Sequence, residues 1–306
     1  HEIEGNGLVW PFFEHLKSYI DYDKITDYKK TKKPVNLVKS SLYVLTFNFP
    51  EQFRLLCESF EKADPEFLLK PRKILVNNST NRDTDKEYDD LCLKYGFEEI
   101  HLDNIGICGG RQWVAEHFDL SDSDYYIFFE DDMFLYQKDE LAFCKNGLRT
   151  YVDNLYRKSL SVIHNSGVDY LKLSFSEFFG DSIDQWAWYN IPGAVREKYF
   201  PDKTTLPLVG LDPDAPKTEF KQIGKFEDCR YITGDVHYCN WPIWFGKEGN
   251  RKVFIDTKWA RPYEQTWMSH VFQMQKEDKI KAAVLLLSPI NHTRLNFYKA
   301  EERREN

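Results

Sequence analysis

The chain has 306 residues, which is enough for one large domain or two fused lobes. Its net charge of −8 argues against a nucleic-acid partner, because proteins that bind the phosphate backbone present basic surfaces. Aromatic residues make up 16% of the chain, and such side chains suit a core or a cleft that stacks flat rings.

The six cysteines show neither a C-x-x-C pair nor metal-ligand spacing. Cys57 and Cys92 fall on the apolar faces of predicted helices, which indicates buried free thiols and a reducing, cytoplasmic compartment, while the even number of cysteines leaves disulfides open. The longest apolar run, residues 282–287, is too short for a transmembrane segment, which needs roughly 20 residues, and no signal peptide is recognisable. Because the chain begins at His1, trimming from a longer or membrane-associated protein stays open.

Residues 1–35 are polar and aromatic without a clear period, and we interpret them as an N-terminal extension. From residue 36 onward, β-rich runs alternate with amphipathic segments. The predicted strands are 41–47, 72–79, 98–103 and 125–130, and the predicted helices are 48–62, 84–96 and 104–118. This alternation predicts a parallel sheet with right-handed crossovers.

The second half of the chain has a different pattern. Short apolar runs alternate with turns, one predicted strand lies at 252–257, and the helical period returns at 263–278. A break in the pattern near residues 160–167 predicts a boundary between two halves, 36–165 and 166–306, that share one continuous sheet.

Polar side chains follow each predicted strand of the first half. In parallel sheets the ligand binds beyond the carboxyl ends of the strands, so we expect these residues to line one crevice. They are Thr46, Asn48, Asn77, Asn78, Asn104, Glu130, Asp131 and Asp132. The last three are adjacent carboxylates that repel one another, so either water or a cation must lie against them.

Four segments together resemble a known family of enzymes. Residues 43–60, 73–80, 104–118 and 125–134 are similar, in order and spacing, to the nucleotide-binding motifs of GT-A glycosyltransferases of the family 2 type. The resemblance covers residues 41–136. It implies an α/β fold with a Rossmann-like, mostly parallel central sheet flanked by helices. Residues 36–165 would form the nucleotide-sugar-binding half, and 166–306 a mixed acceptor-binding half.

The resemblance also implies a donor site. Its substrate is a nucleoside diphosphate sugar, UDP-linked, and its cofactor is Mn²⁺ or Mg²⁺, which prefer oxygen ligands. Asp132 is the implied metal ligand at the end of a DxD motif, in which Glu130 replaces the usual first Asp, and His292 completes the metal sphere. The implied nucleotide-sugar contacts are Thr46, Asn48, Asn77, Asn78, Asn104, Arg111, Glu130 and Asp131.

Glu264 opens the predicted helix at 263–278, and in inverting members of the family an acidic residue there deprotonates the acceptor hydroxyl. Asp235 is the rival base, and retention at the anomeric carbon stays open. Tryptophans suit the apolar faces of sugars. The acceptor, a glycan or another hydroxyl compound, is therefore expected to contact one of Trp186, Trp188, Trp241 and Trp244.

Each of these residues also has a purely structural interpretation. The carboxylates could form a solvated loop, Asn77 and Asn78 could cap a turn, and the tryptophans could fill the core. Arg111 begins a helix, where anions bind, but it could equally form a surface salt bridge with Asp103 or Glu116.

Two other functional classes also stay open. A nucleotidyltransferase would share the parallel sheet and the acidic metal site, but it would usually carry a glycine-rich basic loop after the first strand. Residues 46–53 contain neither glycine nor a basic residue. A non-catalytic carbohydrate-binding module would need the aromatic residues but no metal cluster.

Overall fold

The computed structural model describes residues 37–144, 147–175, 219–256 and 264–293. The predicted N-terminal extension, 1–35, lies outside these ranges, and so do the predicted acceptor residues Trp186 and Trp188.

Within the described ranges, nine strands form one central sheet. In their order across the sheet they are β3 (Glu98–His101), β2 (Arg72–Asn77), β1 (Ser40–Thr46), β4 (Tyr125–Glu130), β11 (Ile243–Gly246), β8 (Tyr170–Lys172), β12 (Ala282–Leu285), β10 (Cys229–Gly234) and β9 (Phe220–Phe226). The sheet therefore includes strands from both predicted halves of the chain.

The sheet is mostly parallel. β1 pairs in parallel with β2 and β4, β2 with β3, and β8 with β12, whereas β10 and β11 run against their neighbours. Every residue of β1 is buried, as expected for a strand that helices cover on both faces. The register sets Thr46 beside Asn77 and Leu45 beside Glu130, so the polar strand ends lie at one edge.

Seven α-helices flank or connect the strands in the described residues. They are α1 (Pro50–Ala63), α2 (Glu66–Leu69), α3 (Asp85–Tyr95), α4 (Gly106–Leu120), α5 (Leu155–Ser166), α6 (Lys247–Asn250) and α7 (Glu264–Lys276). A proline at the first position begins α1, and Gly96 with φ +71° ends α3. The predicted boundary at 160–167 falls in the last turns of α5.

Close packing places the start of α4 at the crevice. A Cβ on Gly110 would lie 2.8 Å from Leu45 Cδ1, so a larger residue here would require the Leu45 side chain to shift. The helix follows β3, and its first residues therefore lie at the polar edge of the sheet.

One predicted element has the wrong type. Residues 252–257 were expected to form a strand, but Arg251–Ile255 form a π-helical turn that continues α6. Val253 and Phe254 in this turn are both buried.

Two small sheets lie outside the central one. β6 (Leu141–Cys144) pairs with β7 (Gly147–Thr150), and β5 (Met133–Leu135) pairs antiparallel with β13 (Ile290–His292). In the second pair Met133 lies opposite His292. This pairing brings the end of the described chain back to the residues that follow β4.

No helix in the described part of the chain combines the length and apolarity needed to cross a bilayer. The cysteines whose side chains are described are buried and carry free thiols; they are Cys57, Cys92, Cys108, Cys229 and Cys239. The cellular location stays a prediction.

Candidate functional site

The three carboxylates after β4 have separate environments. The Asp131 side chain points into the fold, where its Oδ2 accepts a hydrogen bond from Thr46 Oγ1 (2.5 Å) and its Oδ1 accepts one from Gln52 Nε2 (3.0 Å). Burial, followed by repulsion from Asp132, raises the pKa of Asp131 to about 7. The turn that follows β4 thus directs the Asp131 carboxylate toward β1 and α1.

Asp132 lies against the histidine predicted to act with it. His292 Nε2 is 3.1 Å from Asp132 Oδ2, and only 10% and 7% of the two side chains are exposed. The backbone N–H of Thr293 donates to the Asp132 carbonyl (3.1 Å), which extends the β5–β13 pairing by one residue. Residues separated by 160 positions are therefore held together by backbone hydrogen bonds.

The predicted base and one predicted acceptor tryptophan lie in the same region. The Trp241 ring packs edge-on against His292 with centroids 5.5 Å apart. The next residue back, Asn240, donates its backbone N–H to Glu264 Oε1 at 2.8 Å. Residues 240–241, in the loop between β10 and β11, therefore contact both the candidate metal ligand and the candidate base.

Cys108, in the first turn of α4, connects the base to the acidic strand end. Burial, then the nearby charges of Glu264 and Glu130, raise the pKa of the Cys108 thiol to about 12. The charges of both carboxylates therefore act on one buried thiol. The site contains the end of β4, the start of α4 and the start of α7.

Most of the predicted nucleotide contacts hold the loops around the site. Asn78 Oδ1 accepts from the Ile105 backbone N–H (2.9 Å), and its Nδ2 donates to the Gly106 carbonyl (3.2 Å). Asn77 Nδ2 donates to Glu99 Oε1 (2.7 Å). Thr46 bonds both Asp131 and the Tyr88 hydroxyl, the latter at 2.7 Å.

Asn48 and Asn104 share a backbone conformation that few residues adopt. Their φ angles are +53° and +41°, in the left-handed region that asparagine tolerates better than most residues. Asn48 Oδ1 accepts from the backbone N–H groups of Thr80 (2.8 Å) and Asn81 (2.9 Å), so it joins the loops that follow β1 and β2. Asn104 Oδ1 accepts from the Gly106 N–H (3.3 Å) at the start of α4.

Arg111 departs from its expected position at the surface. Its side chain is fully buried, its Nη2 donates to the Tyr126 hydroxyl (2.8 Å), and its guanidinium carbon lies 4.2 Å from the Phe254 ring centroid and 4.6 Å from that of Phe128. Burial alone would lower the pKa of Arg111, but the hydroxyls of Tyr126 and Tyr238 leave it raised. In this position the guanidinium faces aromatic rings and a tyrosine hydroxyl.

Two further predicted residues also lie in the interior. Asp235 Oδ2 accepts from Lys276 Nζ (2.6 Å) and from the Glu219 backbone N–H (3.0 Å), so an ion pair engages the rival base. Trp244 is fully buried in β11, and its Nε1 donates to Ser159 Oγ (2.9 Å). Both residues stabilise the fold, because buried polar groups with partners are favourable in place.

Sequence reasoning missed two supporting residues. Gln52 holds Asp131, and the Tyr88 hydroxyl bonds Thr46 and accepts from the Phe49 backbone N–H (3.0 Å). Gln52 was detectable, because it lies on the apolar face of α1 with buried residues at i+4, i+7 and i+11. A polar residue on such a face needs a buried partner.

The donor atoms of this site fit a divalent cation that a substrate also coordinates. In the described residues, no group of three or more His, Cys, Asp or Glu side chains is arranged to hold a metal. The Asp132–His292 pair supplies one carboxylate and one imidazole. Mg²⁺ in phosphate-transfer sites commonly takes one or two carboxylates and completes its shell with water and phosphate oxygens. An imidazole nitrogen adds affinity for a transition metal such as Mn²⁺.

Neither a protein-family model nor a curated protein matches the sequence. Solved structures do match. A crystal structure of GalNAc-T7 with UDP, GalNAc and Mn²⁺ has a TM-score of 0.50 at 13% identity, covering 88% of this chain and 45% of that one. TarS (residues 1–349) from S. aureus has a TM-score of 0.43 at 13% identity, covering 81% and 58%.

The mannosyltransferase PcManGT from Pyrobaculum calidifontis, solved with GDP-Man and Mn²⁺, has a TM-score of 0.36 at 9% identity, covering 54% of this chain and 42% of that one. The chain spans less than two thirds of the length of each of these structures. All three are GT-A glycosyltransferases, and the mostly parallel central sheet flanked by helices matches this fold. The chain has the GT-A fold.

Proposed function

We propose that the chain is a metal-dependent glycosyltransferase. It moves a sugar from a nucleoside diphosphate sugar, UDP-linked, to a hydroxyl of a glycan or another acceptor, with inversion at the anomeric carbon. One observation carries this proposal: Asp132 and His292 meet at 3.1 Å beyond the carboxyl end of the sheet, in a fold whose ligands bind there. GalNAc-T7, with the same fold, was solved with UDP and Mn²⁺, which supports this choice by analogy.

Asp132 and His292 would hold Mn²⁺ or Mg²⁺. When bound, such an ion neutralises the diphosphate and stabilises the negative charge that develops on it. Asp131 helps to position Asp132, because its carboxylate accepts hydrogen bonds from Thr46 and Gln52 and so holds the turn that carries both residues. Glu130 and the asparagines at the strand ends are proposed to contact the nucleotide sugar.

Glu264 is the proposed base. The acceptor hydroxyl gives its proton to the Glu264 carboxylate while its oxygen forms a bond to the anomeric carbon. On the opposite face of that carbon, the bond to the diphosphate oxygen breaks, and the diphosphate leaves with the electron pair. The Asn240 N–H holds one Glu264 oxygen at 2.8 Å, which fixes the orientation of the carboxylate. Asp235 is not assigned this role because Lys276 pairs with it.

The acceptor is proposed to lie near Trp241. This ring contacts His292 and adjoins the residue that holds Glu264, so it lies between the metal pair and the base. Trp244 is fully buried and is left out of the acceptor site. Trp186 and Trp188 remain proposals outside the described residues.

Donor turnover tests the proposed reaction. Purified protein would be incubated with UDP-glucose, UDP-galactose, UDP-GlcNAc, UDP-GalNAc and GDP-mannose, with Mn²⁺ or with EDTA, and nucleoside diphosphate release would be measured. We expect release from one donor class, dependent on metal and lost in Asp132→Ala. Conversion of a nucleotide sugar and pyrophosphate into a nucleoside triphosphate would instead identify a nucleotidyltransferase. Binding of free saccharides without any nucleotide turnover would identify a carbohydrate-binding module.

A further inference from the structure

Asn240 has a side-chain donor that the described protein does not use. The residue is only 2% exposed, its backbone N–H donates to Glu264, and its Oδ1 accepts from the Tyr238 hydroxyl at 3.2 Å. Its Nδ2 has no hydrogen-bond partner among the described residues. Buried side-chain donors are almost always paired, so this amide group requires an explanation.

The surroundings of Asn240 fix which end of the amide is the donor. Tyr238 and the buried guanidinium of Arg111 pack against the same two rings, Phe245 and Phe254. The Tyr238 hydroxyl also helps to raise the pKa of Arg111. A guanidinium has donors only, so it attracts the Tyr238 oxygen and leaves the hydroxyl hydrogen directed elsewhere. That hydrogen meets Asn240 Oδ1. In this orientation the Nδ2 group points away from Tyr238 and is the end of the amide left to donate.

The position of Asn240 indicates what the amide meets. Trp241 contacts the candidate metal ligand His292, and the Asn240 backbone contacts the candidate base Glu264. In the proposed reaction the transferred sugar is bonded to the diphosphate on one side and attacked by the acceptor on the other. The sugar must therefore lie between the metal pair and the base, which is where residues 240–241 are.

We propose that Asn240 Nδ2 donates a hydrogen bond to a hydroxyl oxygen of the transferred sugar, and that Tyr238 and Arg111 are positioning residues that orient this amide. The inference rests on the proposed function, because it names a contact to the donor of that reaction. It gives the buried Arg111 a role: the guanidinium acts on the site through Tyr238 and not on the diphosphate. Asn240 thereby becomes a specificity residue, since a buried donor left unpaired disfavours sugars that lack the matching hydroxyl.

Calorimetry with paired ligands tests this contact. UDP and the nucleotide sugar that the wild-type protein binds would be titrated in Mn²⁺ into the wild type, Asn240→Ala and Tyr238→Phe. We expect Asn240→Ala to weaken the nucleotide sugar about tenfold, the loss of one hydrogen bond, while UDP affinity stays within about twofold. Tyr238→Phe keeps the Asn240 amide but removes the hydrogen bond that orients it. Its affinity for the nucleotide sugar should therefore fall less than that of Asn240→Ala, again with little change in UDP affinity.

Deoxy analogues of the nucleotide sugar identify the hydroxyl concerned. The wild type should bind the analogue that lacks this hydroxyl as weakly as Asn240→Ala binds the complete nucleotide sugar. Asn240→Ala should bind the two ligands with equal affinity. The inference is overturned if both variants bind the nucleotide sugar as the wild type does, or if UDP and the nucleotide sugar weaken equally, which would indicate a structural role. If the wild type binds no nucleotide at all, the proposed function fails first, and the inference fails with it.

Discussion

His292→Ala removes half of the protein's proposed metal-binding pair. In the folded protein, His292 Nε2 lies 3.1 Å from Asp132 Oδ2, and the two side chains are 10% and 7% exposed. We expect metal-dependent binding of the nucleoside diphosphate to weaken at least about 10- to 100-fold. Loss of a partner that only supports a metal ligand already has an effect of this size.

The same substitution has a limited effect on folding. A lost hydrogen bond at a buried polar group costs about 1–3 kcal/mol, and β13 keeps its backbone pairing with β5 whatever side chain follows Asn291. A domain of this size tolerates such a loss, because the free energy of unfolding is typically 5–15 kcal/mol. Reduced binding by a folded variant therefore reports on the site itself.

The assay is calorimetric titration of the nucleoside diphosphate in the presence of Mn²⁺ and of EDTA. His164→Ala is the matched control, since His164 is 7% exposed and its Nδ1 lies 3.2 Å from the Tyr125 hydroxyl. Tyr125 begins β4, about 17 Å along the strand from Glu130 at its other end. The reasoning is refuted if His292→Ala keeps the wild-type, Mn²⁺-dependent affinity, or if His164→Ala loses as much.

Three further substitutions separate the roles assigned above. Glu264→Gln should slow transfer about 10²- to 10⁴-fold with nucleotide affinity within about twofold, and a rate within tenfold of the wild type would move the base elsewhere. Gln52→Leu should lower the free energy of unfolding by about 1–3 kcal/mol in urea, because an Asp131 oxygen loses its partner; an unchanged midpoint would contradict this. Trp244→Phe should lower the free energy of unfolding by a similar amount, because it removes the hydrogen bond to Ser159 and leaves a small cavity, but acceptor affinity should not change. Weaker acceptor binding would instead indicate that Trp244 belongs to the acceptor site.

Local patterns were sufficient to predict the first half of the fold. Continuous apolar runs such as β4 predict strands buried on both faces, and the helices between them require parallel pairing. The antiparallel insertion of β11 between β4 and β8 was not predictable, because four residues with no distinctive turn carry it. The β5–β13 pairing was equally unpredictable from the sequence, since it joins two three-residue strands far apart in the chain.

The position of Arg111 could have been read from the helical period. Arg111, Val114, Ala115 and Phe118 recur on one face of α4, and all four are buried. The prediction used instead the proximity of Arg111 to the helix start, where anions bind. Helix phase decides which way a side chain points, and it directed this cation toward the sheet.

The acidic strand end could be located from sequence but not divided into roles. Three adjacent carboxylates indicate that water or a cation lies against them. The partners of Asp131 are Thr46 and Gln52, which lie in elements that only the tertiary structure brings next to it. The partner of Asp132 likewise became visible only with the strand pairing that carries His292.

The central claim is that the Asp132 end of the sheet binds a nucleoside diphosphate through a divalent metal. Calorimetric titration of UDP, GDP, CDP and TDP, with and without Mn²⁺, into the wild type and Asp132→Ala tests it most directly. We predict that one diphosphate binds in Mn²⁺ and that its affinity falls at least about 10-fold without the metal and in the variant. Equal affinity in Asp132→Ala, or no binding of any diphosphate to the wild type, would contradict the claim.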